Sequence, residues 1–237
     1  MGLDQGRLRP LTASLRSRAF QFEAPWQWLP PKGEIRSLLL GLHGMAQDSS
    51  RMVQKLDFLR QQGVGLILPS GPYPMEVRGR SGVRQGHAWY IFTGDQPEFK
   101  ASMEKSENDL LGLIEIVQKE IDNPNIPWDL LGFSQGGYLA GFMALRHPEL
   151  FRSCVIASAR LKYEFLEQEL ESQPNVQMLF LHDKNDPLTK SEPVEESQKI
   201  LERAGVISSI QWHDEGHTLG TESLNFLAQW LKELTKQ

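Results

Sequence analysis

The chain has 237 residues, 40 % of them hydrophobic and 23 % charged, with a formal net charge of −5. That length and balance fit one globular domain able to bury a large core, and they give no electrostatic reason to bind nucleic acid or an anionic membrane. The sequence holds no apolar run long enough to span a membrane, no signal-peptide apolar region at its start, and a single cysteine, Cys154, which excludes an intrachain disulfide. The expected setting is cytoplasmic, without stable membrane insertion.

Residues 1–35 read as a lead-in. Leu11 to Arg16 and Ala19 to Ala24 are expected to pair as an edge hairpin, and Trp26, Trp28, Pro30, Pro31 and Gly33 to mark an irregular turn. Strand 36–42 follows and runs into His43-Gly-Met-Ala-Gln-Asp48. Met52, Leu56 and Leu59 form a helical stripe that stops at Gly63, before strand 64–68. Residues 71–100 carry five glycines, three prolines and no clean period. A stretch of this length without regular structure is usually functional, so it is expected to be an active-site loop or lid, with Trp89 as a wall facing substrate. Leu110, Ile114, Val117 and Ile121 make a helix that ends before Pro124. Strand 128–133 leads to a helix from Tyr138 to Leu145. Then come strand 153–158, with Cys154 as a small core residue, a helix near Tyr163 to Glu171, strand 176–181, helix 194–204 and strand 206–212. The last helix takes Thr221 as its N-cap and places Leu224, Leu227, Leu231 and Leu234 on one face. Repeated strand–helix units predict a single α/β domain over residues 1–237, with a mostly parallel sheet, helices on both faces and ligands at the strands' C-terminal ends.

The residues that carry chemistry follow predicted strands. GFSQGG, Gly132 to Gly137, sits between strand and helix and fits the G-x-S-x-G nucleophile elbow, whose tight turn excludes a Cβ at the flanking glycines and exposes Ser134. A serine needs a base, and the base an orienting acid, in the chain order Ser, Asp, His. Asp186 in the turn after strand 176–181 is the candidate acid, with Asp183 as its rival. His217 after strand 206–212 is the candidate base, with His213 as its rival. His213 and His217 have a spacing that could hold a metal on a helix, but Gly216 and the preceding strand argue against a helix there. The backbone amides of Met45 and Gln135 are placed to form an oxyanion hole.

Seven short motifs together give a specific resemblance: LHG at Leu42 to Gly44, PSGP at Pro69 to Pro72, AWY at Ala88 to Tyr90, GFSQGG, HPELF at His147 to Phe151, DPL at Asp186 to Leu188 and EGH at Glu215 to His217. The chain resembles the phospholipase/carboxylesterase family of α/β-hydrolases, which includes the acyl-protein thioesterases. The resemblance runs from about Leu38 to the C-terminus. It implies the α/β-hydrolase fold, a Ser134–His217–Asp186 triad, oxyanion donors at Met45 and Gln135, and no cofactor. Three departures stand out: Met45-Ala46-Gln47 where relatives carry glycine after HG, His182-Asp183 where many have HG, and Ser158-Ala159-Arg160 where many have Ser-Gly. The expected activity is hydrolysis of small-molecule or acyl-protein esters or thioesters with short to medium acyl chains. A peptidase of the same fold and a non-catalytic ligand-binding protein are the alternatives. No arginine cluster is expected beside the catalytic motifs, although Arg78, Arg80 and Arg84 in the 71–100 segment could meet an anionic leaving group.

Overall fold

Continuous apolar runs, rather than alternating ones, build the central strands. In the computed structural model, which describes residues 23–79, 82–121, 123 and 125–236, β2 (Ser37–Leu42), β3 (Val64–Pro69) and β6 (Trp128–Phe133) are buried at every position. Such runs belong in a sheet covered on both faces. Among the described residues the sheet has seven strands, in the order β1-β3-β2-β6-β7-β8-β9, where β1 is Trp26–Leu29, β7 Phe151–Ala157, β8 Gln177–Asp183 and β9 Ser208–His213. Every pairing is parallel except β1 with β3, which is antiparallel.

Side-chain alternation divides the core between the two faces. Leu38, Leu40 and Leu42 of β2 pack with α2 (Gln96–Glu120), α3 (Gln135–Arg146) and α5 (Ser191–Arg203). Leu39 of the same strand packs with α1 (Ser49–Leu56) and α6 (Thr221–Leu234) on the other face. Phe142, fully buried in α3, is one of the largest core side chains, and truncating such a residue to alanine typically costs about 3–5 kcal/mol. Cys154 lies in β7 with no exposure, and burial pushes its thiol up.

Several expectations are revised. The proposed hairpin at Leu11 to Arg16 and Ala19 to Ala24 lies almost entirely outside the described residues, and the supposed turn around Trp26 and Trp28 is the antiparallel edge strand β1. The 71–100 segment is not an irregular loop. It holds an antiparallel hairpin, β4 (Tyr73–Gly79) with β5 (Gly82–Ala88), and then the start of α2. Asp95 caps α2 through Glu98 N–H at 2.8 Å, with a proline in the first turn. The helix expected near Tyr163 to Glu171 is a single 3₁₀ turn, Tyr163–Phe165, followed by the short α4 (Glu167–Glu171). Helix α6 begins at Thr221 rather than being capped by it.

Candidate active site

The elbow is held by backbone crowding. A Cβ on Gly132 would sit 2.1 Å from the Gly136 carbonyl oxygen, and one on Gly136 would sit 2.5 Å from that of Leu42. Both positions therefore exclude any side chain, and α3 leaves β6 in a turn too tight for other residues. Ser134, at the corner, adopts φ 51° and ψ −117°, a conformation that non-glycine residues rarely take. Its amide donates to the Ala157 carbonyl at 2.8 Å, so the corner is fixed to β7.

Two loops from the same sheet edge complete the constellation. The His217 Nε2 lies 2.8 Å from Ser134 Oγ, and His217 Nδ1 lies 2.7 Å from Asp186 Oδ2. The other Asp186 oxygen accepts the amides of Leu188 at 2.8 Å and Thr189 at 3.0 Å. Burial alone would raise the Asp186 carboxyl, but these amides and the histidine outweigh it and hold it below the usual carboxylate range. With Asp186 accepting from His217 Nδ1–H, the Nε2 lone pair faces the serine hydroxyl.

The two rivals do other work. Asp183 Oδ1 accepts the Asn185 amide at 2.7 Å and Oδ2 accepts the Gly216 amide at 2.5 Å, so its carboxylate is spent on backbone. His213 is buried, accepts the Glu215 amide at 3.3 Å through Nδ1, and makes no bond to Ser134. Glu215, outside the expected site, caps α6. It accepts the amides of Glu222 at 2.9 Å and Ser223 at 3.0 Å, together with the Ser223 hydroxyl at 2.7 Å. This side-chain cap takes the place assigned to Thr221 and fixes the loop on which His217 rides. Among the described residues no cluster of histidine, cysteine or acidic side chains is arranged to hold a metal.

The loop that carries Met45 leaves the end of β2. A Cβ on Gly44 would approach Phe133 to 2.9 Å and Ser134 Cβ to 3.4 Å, so this loop lies against Ser134. Neither the Met45 nor the Gln135 amide has an intrachain partner among the described residues. The loop is clamped from behind: Ala46 N–H donates to His87 C=O at 2.9 Å and His87 N–H to Gln47 C=O at 2.8 Å. His43, with no exposure, donates from Nδ1 to the Gly44 carbonyl at 2.7 Å and accepts the Gly71 amide at Nε2 at 2.9 Å. That pattern requires the neutral ring, and burial lowers its pKa to about 4.

Trp89 does not face substrate. Its side chain has no exposure, and its indole N–H donates to the His43 carbonyl at 2.7 Å, at the base of the Met45 loop. The expectation of an aromatic wall is corrected because a polar indole on a glycine-rich segment satisfies its N–H by packing inward. The Gln135 side chain, not singled out in the sequence, anchors that segment by accepting Trp89 N–H at 2.9 Å and donating to Tyr90 C=O at 3.0 Å. Met45, Ile91, Phe92 and Leu188 are among the apolar side chains left exposed on these segments, each more than half exposed, and Val83 on β5 is another.

The fold and this geometry define an α/β-hydrolase. The pattern of the Phospholipase/Carboxylesterase family matches residues 29–235, so the chain belongs to that family, whose members are esterase-type hydrolases. Its fold is similar to that of esterase PE8, with a TM-score of 0.73 at 20 % identity over 90 % of this chain and 99 % of that one. Acyl-protein thioesterase 2 of Zea mays superimposes with a TM-score of 0.74 at 18 % identity, covering 90 % and 100 % of the two chains. MhqD of Bacillus subtilis (strain 168) is 23 % identical over 103 residues, 44 % of this chain and only 50 % of that protein's length. No helix among the described residues is long and apolar enough to cross a membrane.

Proposed function

We propose that the protein is a cytoplasmic serine hydrolase that cleaves carboxylic esters or thioesters through an acyl-enzyme. One observation carries this reading: the unbroken hydrogen-bonded line from Ser134 Oγ through His217 to Asp186, at 2.8 and 2.7 Å. His217 Nε2 takes the Ser134 proton as Oγ attacks the substrate carbonyl. Asp186 holds the imidazole in its Nδ1–H tautomer and stabilises the imidazolium that forms. The Met45 and Gln135 amides receive the oxyanion, and one such donor is typically worth about 10²–10³ in rate. His217 then gives its proton to the departing alcohol or thiol, and water repeats the sequence on the acyl-enzyme. No cofactor enters any step.

The exposed apolar groups Met45, Ile91, Phe92 and Leu188 flank the segments that carry the oxyanion donors and the acid. They support short to medium acyl chains as the preferred substrates, on small molecules or on acylated protein, in place of the wall first expected from Trp89. The test is labelling with a fluorophosphonate. Stoichiometric modification at Ser134, lost in Ser134→Ala with the fold retained, is the expected result. A folded Ser134→Ala variant that keeps near-normal ester turnover would refute the mechanism.

A further inference from the structure

The chain leaving β7 runs directly beside the nucleophile's helix. A Cβ on Gly137 would lie 2.8 Å from Ala159 Cβ, so Ala159 touches the first turn of α3, and Arg160 comes next. Ser158, just before, has φ 50°, an unusual conformation for serine, and its carbonyl receives the Thr189 hydroxyl at 3.4 Å. One turn along α3 from Ser134, Tyr138 donates its amide to the Ser134 carbonyl at 3.3 Å. The Tyr138 hydroxyl faces both the Arg160 guanidinium and Thr189. Thr189 in turn holds Asp186. Arg160 therefore stands at the same edge as the triad, within one side chain of both the nucleophile's helix and the acid loop.

The cations there outnumber the acid that pairs with them. Arg160 grips Glu164 with both terminal nitrogens, at 2.8 and 3.0 Å, and Lys162 reaches the same carboxylate at 3.2 Å. Among the described residues neither cation pairs with another acid, so two positive charges share one negative. The cations are the enclosed partners, with side chains 19 % and 10 % exposed, whereas Glu164 is 40 % exposed. The Lys162 ammonium and the Arg160 guanidinium also lie 4.9 Å from the Phe165 ring and 5.4 Å from the Tyr163 ring, which fixes their direction. In a chain of net charge −5, this local excess is not a reflection of overall basicity. A guanidinium fork matches carboxylate and phosphate geometry, and an exposed glutamate can give up its place and return to water at low cost.

We propose that Arg160 and Lys162 form an anion subsite beside Ser134 that selects esters or thioesters carrying a carboxylate or phosphate a few bonds from the scissile carbonyl. The proposal rests on the serine-hydrolase reading above. An incoming anion takes the fork that Glu164 occupies, and Glu164 turns outward. The test compares para-nitrophenyl pentanoate with the para-nitrophenyl hemiester of glutaric acid, equal in chain length but anionic on the acyl side. A third ester, of butyric acid with para-hydroxybenzoate, carries the anion on the leaving group and is compared with the butyric ester of methyl para-hydroxybenzoate, its neutral counterpart. The expected result is a kcat/KM at least about tenfold higher for one anionic ester than for its neutral counterpart, the scale of one charge-assisted hydrogen bond. Arg160→Gln and Lys162→Gln each remove most of that preference while leaving neutral-ester turnover intact, and Glu164→Gln raises it. The arm in which the preference appears locates the anion. Equal turnover of charged and neutral esters by the unaltered enzyme overturns the subsite alone, as does a loss in Arg160→Gln that is the same for both. Absence of all ester turnover and of fluorophosphonate labelling overturns the hydrolase reading, and the subsite with it.

Discussion

The Asp183 carboxylate accepts the Gly216 amide at 2.5 Å, which joins the loop that carries Asp186 to the loop that carries His217 through a bond that involves neither side chain. Its second oxygen fixes the Asn185 amide at 2.7 Å and so shapes the turn on which Asp186 sits. Both bonds need an acceptor, and an asparagine would turn a donor toward one of the two amides. Asp183→Asn is therefore expected to lower kcat by about 10- to 100-fold with little change in KM, because it misplaces the base rather than the substrate. Asp186→Asn is expected to cost far more, about 10⁴ in comparable triads. Steady-state kinetics of the two variants decide the matter: Asp183→Asn emerging as the more damaging would reverse the assignment of the acid.

Trp89 predicts a separation of stability from specificity. Trp89→Phe removes the indole donor and leaves the buried His43 carbonyl without it, a loss of about 1–3 kcal/mol. Urea unfolding should register that loss, while the ranking of acyl chain lengths stays as it was. A changed ranking at unchanged stability would return Trp89 to the substrate wall.

The acyl preference should instead follow Leu188 and Met45. Each methylene that finds apolar cover adds up to ~0.8 kcal/mol of binding, so kcat/KM should rise and then fall over aryl esters of about two to about twelve carbons. Leu188→Ser, on the loop of the acid and 74 % exposed, should flatten the rise without reducing turnover of the acetyl ester. A profile indifferent to chain length in the unaltered enzyme would contradict the apolar rim.

His43 makes stability sensitive to mild acid. Its pKa falls from 6.5 to about 4 on folding, so between these values the unfolded chain binds the extra proton and the folded one does not. Stability contributed by the neutral ring is full above about pH 6.5 and is lost as pH drops toward 4, with a span of up to about 3 kcal/mol. Asp186, whose folded carboxyl is held below its ordinary value, adds a further loss only at still lower pH. Melting temperatures from pH 7.5 to 4 should decline, and the decline should shrink in a folded His43→Gln variant. Equal slopes for the two proteins would remove His43 from this account.

The sheet edge that brings Ser134, Asp186 and His217 together was legible in the sequence because each element there has a local cause. Buried parallel strands write continuous apolar runs, Gly132 and Gly136 mark a turn that no side chain fits, and Asp186 and His217 follow their strands at once. What the sequence hid was pairing over distance. The hairpin of β4 and β5 carries too many glycines and exposed polar residues to announce its register. Asp95 caps α2 and Pro97 stands in its first turn, local signals set among glycines that carry no helical period. The sequence marks Gln135 for its backbone amide, Asp183 as a rival acid and Glu215 only as part of a motif. Each proved to hold the backbone of a remote segment, a property set by the fold rather than by neighbours in the chain. Arg160 was missed for the same reason, since nothing in Ser158-Ala159-Arg160 tells that the segment turns back over α3.

The burial of Cys154 has a practical consequence for assay chemistry. It is the sole cysteine, with no solvent exposure and a thiol pushed up in pKa, so in the folded state it neither competes for nor reacts with disulfide-type colour reagents. The thiol released from a thioester can thus be followed continuously in the presence of such a reagent with no background from the enzyme. By the same token, a cysteine introduced at Phe92 or Leu188 would be the single accessible attachment point, and a fluorophore placed there would report acyl-chain arrival directly.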